Sequence, residues 1–526
     1  MSNASGFLKG TMILTCSMAV VKIIGSLNWI ILSRVLGGEG IGLYLMGFPI
    51  YLMAITVSSA GIPVAISIIT AEKLAKQDYR GAKRVFKVSL RLLAVSGLCL
   101  SLLVYFGAEW LIKWQFVRDP RAYYAIVTLA PAIFFVTFLA SFRGYLQGWQ
   151  NMTPTAVSEV AEQLVRVCTM LIFADLLLPY GLAAAAGGAS MGAGAGAIVA
   201  LLVLMWFYRR MQKQAAVAIA AQPLIEPVER AGAIVKRLLL LALPVSLTSI
   251  MLPLGANLDL FIVPQRLEAA GLSLHKATEA FGYLTGMAVP LVNLAAIFTA
   301  AMTMSLVPSV SESRALGDWQ TLGKKIRIAL RMALIISWPC CVGLFALAEH
   351  VATLIYNAPL AAGAIRVMSA GIIFLGLHQI STGILQGLGR TAIPVANMLV
   401  ACVVKVFLNW TLTARPEFGI QGAALATDCD FALAALLNLV FVYKYTGVIP
   451  GINIIVKPFL ASLVMGGGIW CVLQFLEGNL ALAVAFVMAI PIYFGVLYLL
   501  GGFQKDDIKN LPFVGRLVGK SFRSSQ

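Results

Sequence analysis

SFRGYLQGWQNMTPTAVSEVAEQLVRV, residues 141–167, runs on to LPYGLAAAAGGA at 178–189. Near residue 380 the chain repeats itself: STGILQGLGRTAIPVANMLVACVVKVF at 381–407, then PEFGIQGAALAT at 416–427. Each copy holds Leu-Gln-Gly, a proline soon after, a cation one helix further on, and then aromatic-Gly-aliphatic with small residues. Arg166 stands against Lys405. A second pair, EKLAKQDYRGAKRVFKVSLR at 72–91 and ESRALGDWQTLGKKIRIALR at 312–331, matches Asp78 to Asp318 and Arg91 to Arg331. Two matches in the same order and at nearly one offset make an internal repeat, so the fold is built from two similar lobes.

Composition says what the lobes are made of. Of 526 residues, 60% are hydrophobic and 12% charged, against roughly a quarter charged in soluble domains. Apolar stretches of spanning length recur along the whole chain, about 14 of them at roughly 20 residues each. The expected architecture is an all-α integral membrane protein with a six-helix lobe at 1–230, a second at 231–450, an extra helix pair at 451–503 and a basic tail at 504–526. Six helices is an even number, so the repeat is parallel and the substrate path is expected between the lobes near mid-membrane. The links at 71–87, 208–237 and 311–327 and the tail are rich in Lys and Arg. That pattern places both termini in the cytoplasm and accounts for the net charge of +17 without nucleic acid, for which no basic patch with interleaved aromatics is present. The eight cysteines form no CxxC pair and the three histidines no cluster, and no GxxxxGK[ST] loop occurs. The sequence therefore calls for no cofactor or metal and does not read as an enzyme.

Charged groups inside apolar stretches carry the functional information. Each costs about 2.5–3.5 kcal/mol at the centre of a spanning helix on insertion scales. Here they are Lys22, Arg34, Arg143, Glu159, Glu162, Arg166, Asp259, Lys405, Asp428 and Asp430. Arg34 and Arg143 fall near helix ends, where a long side chain reaches the interface. Asp428 and Asp430 are about 200° apart around a helix and cannot share a site. Lys22, Arg166 and Lys405 lie deeper and are expected to face a cavity. A basic chamber suits an anionic cargo, such as a lipid carrying a diphosphate. Glu162 precedes Arg166 by one turn and can bridge to it, with Glu159 on the same side. The alternative reading is a local pair that lowers the cost of insertion. Asp259, with Asn257 beside it, is a candidate for a coupling ion, the alternative being a helix-packing hydrogen bond.

The segments at 7–72, 143–167 (RGYLQGWQNMTPTAVSEVAEQLVRV), 306–312 (LVPSVSE), 419–426 (GIQGAALA) and 511–517 (LPFVGRL) carry a resemblance. From about Phe7 to Leu517 the chain resembles the polysaccharide transporter family of the multidrug/oligosaccharidyl-lipid/polysaccharide exporter superfamily, and within it a sporulation group. The resemblance implies a bacterial cytoplasmic-membrane protein of 14 helices, two lobes about a V-shaped cavity, and alternating access. It also implies export of a lipid-linked saccharide in cell-wall or spore-cortex synthesis, here an undecaprenyl-diphosphate-linked peptidoglycan precursor. The implied partners are a lipid-linked anionic saccharide and membrane lipid, with cell-wall synthesis proteins as further candidates. The first helix is similar to that of the related lipid II flippases: Lys22, Gly25, Arg34 and Gly37 fit their pattern, whereas Asn28 and Trp29 replace an Arg-Asp pair. The candidate cargo-contacting set is then Lys22, Asn28, Arg34, Glu162, Arg166 and Lys405. Two other functions compete. A drug or metabolite antiporter is disfavoured by the extra helix pair and the basic chamber. A non-transporting scaffold for cell-wall enzymes would have no use for buried charges.

Overall fold

A computed structural model of the chain describes residues 2–59, 61–149, 151–221, 229–448, 451–476 and 478–502. The side chains of 1–16 and of Lys22 lie outside the described residues, as does the tail. Seventeen α-helices follow one another, with no strand among the described residues. They are α1 (Ser2–Ser59), α2 (Ile62–Ala75), α3 (Tyr79–Lys113), α4 (Tyr123–Gly148), α5 (Thr153–Leu177), α6 (Leu182–Ala221), α7 (Ala231–Ala269), α8 (Leu274–Gly282), α9 (Val289–Ala295), α10 (Ile297–Ala315), α11 (Trp319–His350), α12 (Ala362–Met368), α13 (Gly371–Gly387), α14 (Ala392–Leu412), α15 (Ile420–Thr446), α16 (Ile452–Phe475) and α17 (Gly478–Leu499). A helical fold follows from the solvent: in hydrocarbon every backbone amide must find its partner within the segment.

Among the described residues nine helical stretches are long and apolar enough to span, and two bent pairs bring the number to eleven. Three further spans are hidden from that test. The 25 residues of α5 carry Glu159, Glu162, Arg166 and Asp175, too many charges for a plain hydropathy criterion. The 39 residues of α7 are ample to cross. Helix α1 is two spans in one: at Gly37 φ is 66° and ψ −178°, a conformation that side-chain-bearing residues rarely adopt. Trp29 and Tyr44 would be about 22 Å apart on a straight helix, yet their ring centroids are 5.8 Å apart. The chain folds back at Gly37, and the architecture is one of 14 spans.

The internal repeat is visible in the caps. Asp78 (φ −85°, ψ 72°) starts α3 by accepting a bond from the Gly81 amide at 2.7 Å. Asp318 (φ −85°, ψ 78°) starts α11 by accepting from Thr321 at 2.9 Å. Each satisfies an amide that the first turn leaves without an intrahelical partner.

The chain divides into two compact units, Met1–Gly286 and Met287–Gln526. The division falls within the eighth span because α7 and α8 pack against α1. The α1–α8 crossing is made by glycines: a Cβ on Gly42 would meet the Thr278 carbonyl at 2.1 Å, and one on Gly282 the Gly38 carbonyl at 2.0 Å. Such close approach gains dispersion contacts that lipid cannot replace. In the first unit Phe86 gathers Tyr145 and Tyr208 at centroid distances of 4.7 and 4.8 Å. In the second, α16 and α17 are seated on α11 by Trp338 against Phe459 at 4.7 Å and by the Tyr493 hydroxyl donating to the Ile335 carbonyl at 2.6 Å.

Candidate functional site

The site in the first unit is organised by one carboxylate. Glu162 projects from α5 and accepts from Arg166, one turn on, at 2.7 Å through Oε1. Its other oxygen accepts from Arg143 of α4, also at 2.7 Å. The three side chains keep 13%, 22% and 20% exposure, respectively, so the cluster is sheltered but reachable. Tyr51, on the second limb of α1 and itself buried, is within interaction range of Arg166. It continues a ladder of rings through Phe48 and Tyr44 to Trp29. Glu159 is half-buried in the field of Arg143 and Glu162, and no ion pair joins it to Arg143 among the described residues.

The opposite side of α5 explains why this face is presented. Gly188, Gly192 and Gly196 of α6 recur every fourth residue. A Cβ on Gly192 would come 2.6 Å from the Arg166 carbonyl, and one on Gly196 2.6 Å from that of Glu162. The small-residue stripe presses α6 against the backbone of α5 behind the charges.

The other expected residues are scattered. Asn28 is buried, donates to the sulfur of Met170 on α5 at 3.0 Å, and leaves its carbonyl oxygen without a partner among the described residues. Arg34 is exposed. Lys22 is in α1, with its side chain outside the described residues. In the second unit Lys405 is 7% exposed, on a buried stripe of α14 that includes Asn397, Ala401 and Asn409. Asn397 donates to Asn438 of α15 at 2.8 Å, and Asn438 to Thr382 of α13 at 3.0 Å. Asn257 donates to the Pro49 carbonyl at 2.9 Å, a bond between α7 and α1, and Asp259 is half-buried nearby.

Two features escape a reading of the sequence. Arg143 does not reach for the interface; it turns inward to Glu162. Its place in the repeat is Thr382, so the second copy gives no hint of it. The second feature is an ionic junction where the α1 fold-back meets α8. Glu39 accepts from Arg121 at 2.7 Å and pairs with His275 at 2.6 Å. Arg121 also grips Asp119 at 2.6 Å, and Asp119 accepts from the Thr278 hydroxyl at 2.8 Å. Burial by itself pushes the Asp119 carboxyl up, but the bonds from Arg121 and Thr278 outweigh it and hold the group below the usual carboxylate range. Distant links converge here, and nothing in their spacing announces it.

Fourteen spans with ionic clusters sheltered inside them define a multi-pass helical membrane transporter. The fold matches a solved lipid II flippase MurJ in an inward closed conformation with a TM-score of 0.70, at 16% identity, over 92% of this chain and 98% of that one. In sequence the chain is 29% identical to stage V sporulation protein B of Bacillus subtilis (strain 168), over 97% of this chain and 99% of that protein. It is 25% identical to the lipid II flippase MurJ of the same organism, over 99% of each. The family profile described as polysaccharide biosynthesis protein matches residues 7–314, and the MatE profile matches 284–411. The chain belongs to the polysaccharide biosynthesis protein family.

Proposed function

We propose that this protein is a flippase for a lipid-linked anionic saccharide, an undecaprenyl-diphosphate-linked peptidoglycan precursor, carried by alternating access across the cytoplasmic membrane with both termini inside. The observation that carries the reading is the single carboxylate held by two arginines from different helices. Its two oxygens, each 2.7 Å from a guanidinium, occupy the positions that phosphate oxygens would take. Guanidinium groups favour phosphate as readily as carboxylate, so an incoming diphosphate exchanges with Glu162 instead of entering an empty charged pocket. Glu162 keeps the arginines paired between cycles. The relatives named as flippases support the cargo class, and the sporulation relative supports a role in spore or cell-wall synthesis.

In this reading 1–230 and 231–450 form two functional lobes that alternate access, with 451–503 as an accessory pair. Arg166 and Lys405, matched by the repeat, are the cargo cations of the two lobes, and Asn28 and Arg34 are further cargo contacts. Cell-wall synthesis enzymes supply and consume the cargo on either side of the membrane. The test is flipping of a fluorescent polyprenyl-diphosphate saccharide in proteoliposomes. Arg143→Gln and Arg166→Gln are each expected to lower the rate at least tenfold at unchanged reconstitution yield. Loss of rate only in proportion to loss of folded protein would make the arginines structural and end the proposal.

A further inference from the structure

We propose that Asp428 is a proton-binding site built into the break between α12 and α13. The two helices meet at a bend of 42°, with Ser369 and Ala370 between them. Asp428 of α15 is 4% exposed, and its Oδ1 has no hydrogen-bond partner among the described residues. It is packed onto Gly371, the first residue of α13, so closely that a Cβ there would lie 2.2 Å from Oδ1. Phe431 closes the pocket, 3.7 Å from that same point.

The donors around the break are mostly engaged. The amides of Ile372 and Ile373 serve the carbonyls of Ser369 and Ala370, and the Ser369 hydroxyl donates to the Arg366 carbonyl at 2.7 Å. The Gly371 amide remains for the carboxyl. Among the described residues no ion pair joins it to a cation. The titratable groups in its field are Cys341 of α11 and Cys429 of its own helix. On α12, Arg366 is paired with Glu349 at 2.8 Å. On α13, His378 is against Asn438 at 3.4 Å, nearly three turns along α15 from Asp428. Lys405 belongs to the buried stripe of α14, and Asp430 points about 200° away around α15.

Two opposing influences therefore meet at one carboxyl. Burial at 4% exposure, with no ion pair to a cation among the described residues, favours the neutral acid. The start of α13, with its amide and the positive end of a 17-residue helix, favours the anion. Loss of the proton draws the carboxylate onto the α13 terminus and fixes the bend. Uptake of a proton releases it. A spanning helix that loosens on protonation is a means of coupling a proton gradient to a change of access. That coupling rests on the transporter reading above; the titration of the hinge does not.

The experiment is hydrogen–deuterium exchange of the full-length protein in nanodiscs across pH 5.5–8.5, normalised for intrinsic exchange, in wild type and Asp428→Asn. Segment 362–373 of the wild type is expected to lose protection at least fivefold on acidification, while Asp428→Asn stays in the unprotected state throughout. An identical pH response in the two proteins, or none in the wild type, overturns the proposal. If Asp428→Asn does not fold, infrared titration of wild type with carboxyl-labelled aspartate decides. A protonated-acid band that titrates within this range and is lost in Asp428→Glu or shifted in Gly371→Ala supports the site; its absence overturns it. Binding of inorganic pyrophosphate measured in parallel separates the two ideas, since loss of pyrophosphate binding refutes the cargo reading and leaves the hinge untouched.

Discussion

Replacing Glu162 by Gln keeps shape and removes the charge shared by two arginines. At an effective dielectric of about 20 and a charge separation of about 4 Å, each arginine loses roughly 4 kcal/mol of attraction, part of which water returns because the guanidinium side chains keep 20% and 22% exposure. Truncating one member of a fully buried pair costs about 3–5 kcal/mol, so about 3 kcal/mol is expected here. Arg143→Gln leaves the Glu162–Arg166 pair on α5 intact and should cost only about 1–2 kcal/mol, since Glu162 keeps one partner. The combination is the decisive variant. Arg143→Gln added to Glu162→Gln removes one of the two stranded cations, so the double variant should be more stable than Glu162→Gln alone. Thermal unfolding in nanodiscs ranks the three. Pyrophosphate binding should move the opposite way for the single carboxylate change: with its competitor gone, affinity rises up to about tenfold, the equivalent of about 1.4 kcal/mol. A double variant less stable than Glu162→Gln, or binding that falls in Glu162→Gln, would refute the idea that this carboxylate holds the place of the cargo.

Gly196→Leu should destabilise the first unit by about 1–3 kcal/mol through overpacking and also weaken pyrophosphate binding, because its side chain must push α5 and its arginines off α6; unfolding and binding measured together check this. Asn257→Ala should cost at least about 1 kcal/mol, the usual worth of a hydrogen bond such as the one to Pro49, and leave the cation dependence of transport unchanged if the residue only packs α7 on α1; a changed cation dependence would support the coupling reading. At the α1–α8 junction Asp119 is held below its usual carboxylate range. Its contribution to stability is thus complete above about pH 4, its value when unfolded, and disappears as pH falls through the lower folded value. Wild type should lose junction protection in hydrogen exchange only in strong acid, while Asp119→Asn lacks that protection at neutral pH as well.

The number and kind of elements were legible in the sequence because the membrane imposes a length and a polarity on every segment. The repeat was legible because Asp78 and Asp318, or the Leu-Gln-Gly helix ends, must do the same local work in both copies. The Glu162–Arg166 pair could be read from its four-residue spacing. Arg143 could not: its partner is on another helix, and proximity to a helix end suggested an outward path that the packing of α4 on α5 does not use. The Glu39–Arg121–His275 junction joins three segments far apart in the chain. Spacing put Asp428 and Asp430 on different faces of one helix without saying which mattered, and the place where Gly371 comes to rest distinguishes Asp428.

By itself, then, the sequence determined the solvent, the helices, the twofold plan and the cations available to it, all of which depend on composition and on spacing within one segment. The tertiary structure decided which charges meet. In a packed helical bundle that choice rests on how closely backbones approach, and glycines at 38, 42, 192, 196, 282 and 371 set those approaches from positions where they carry no chemistry of their own.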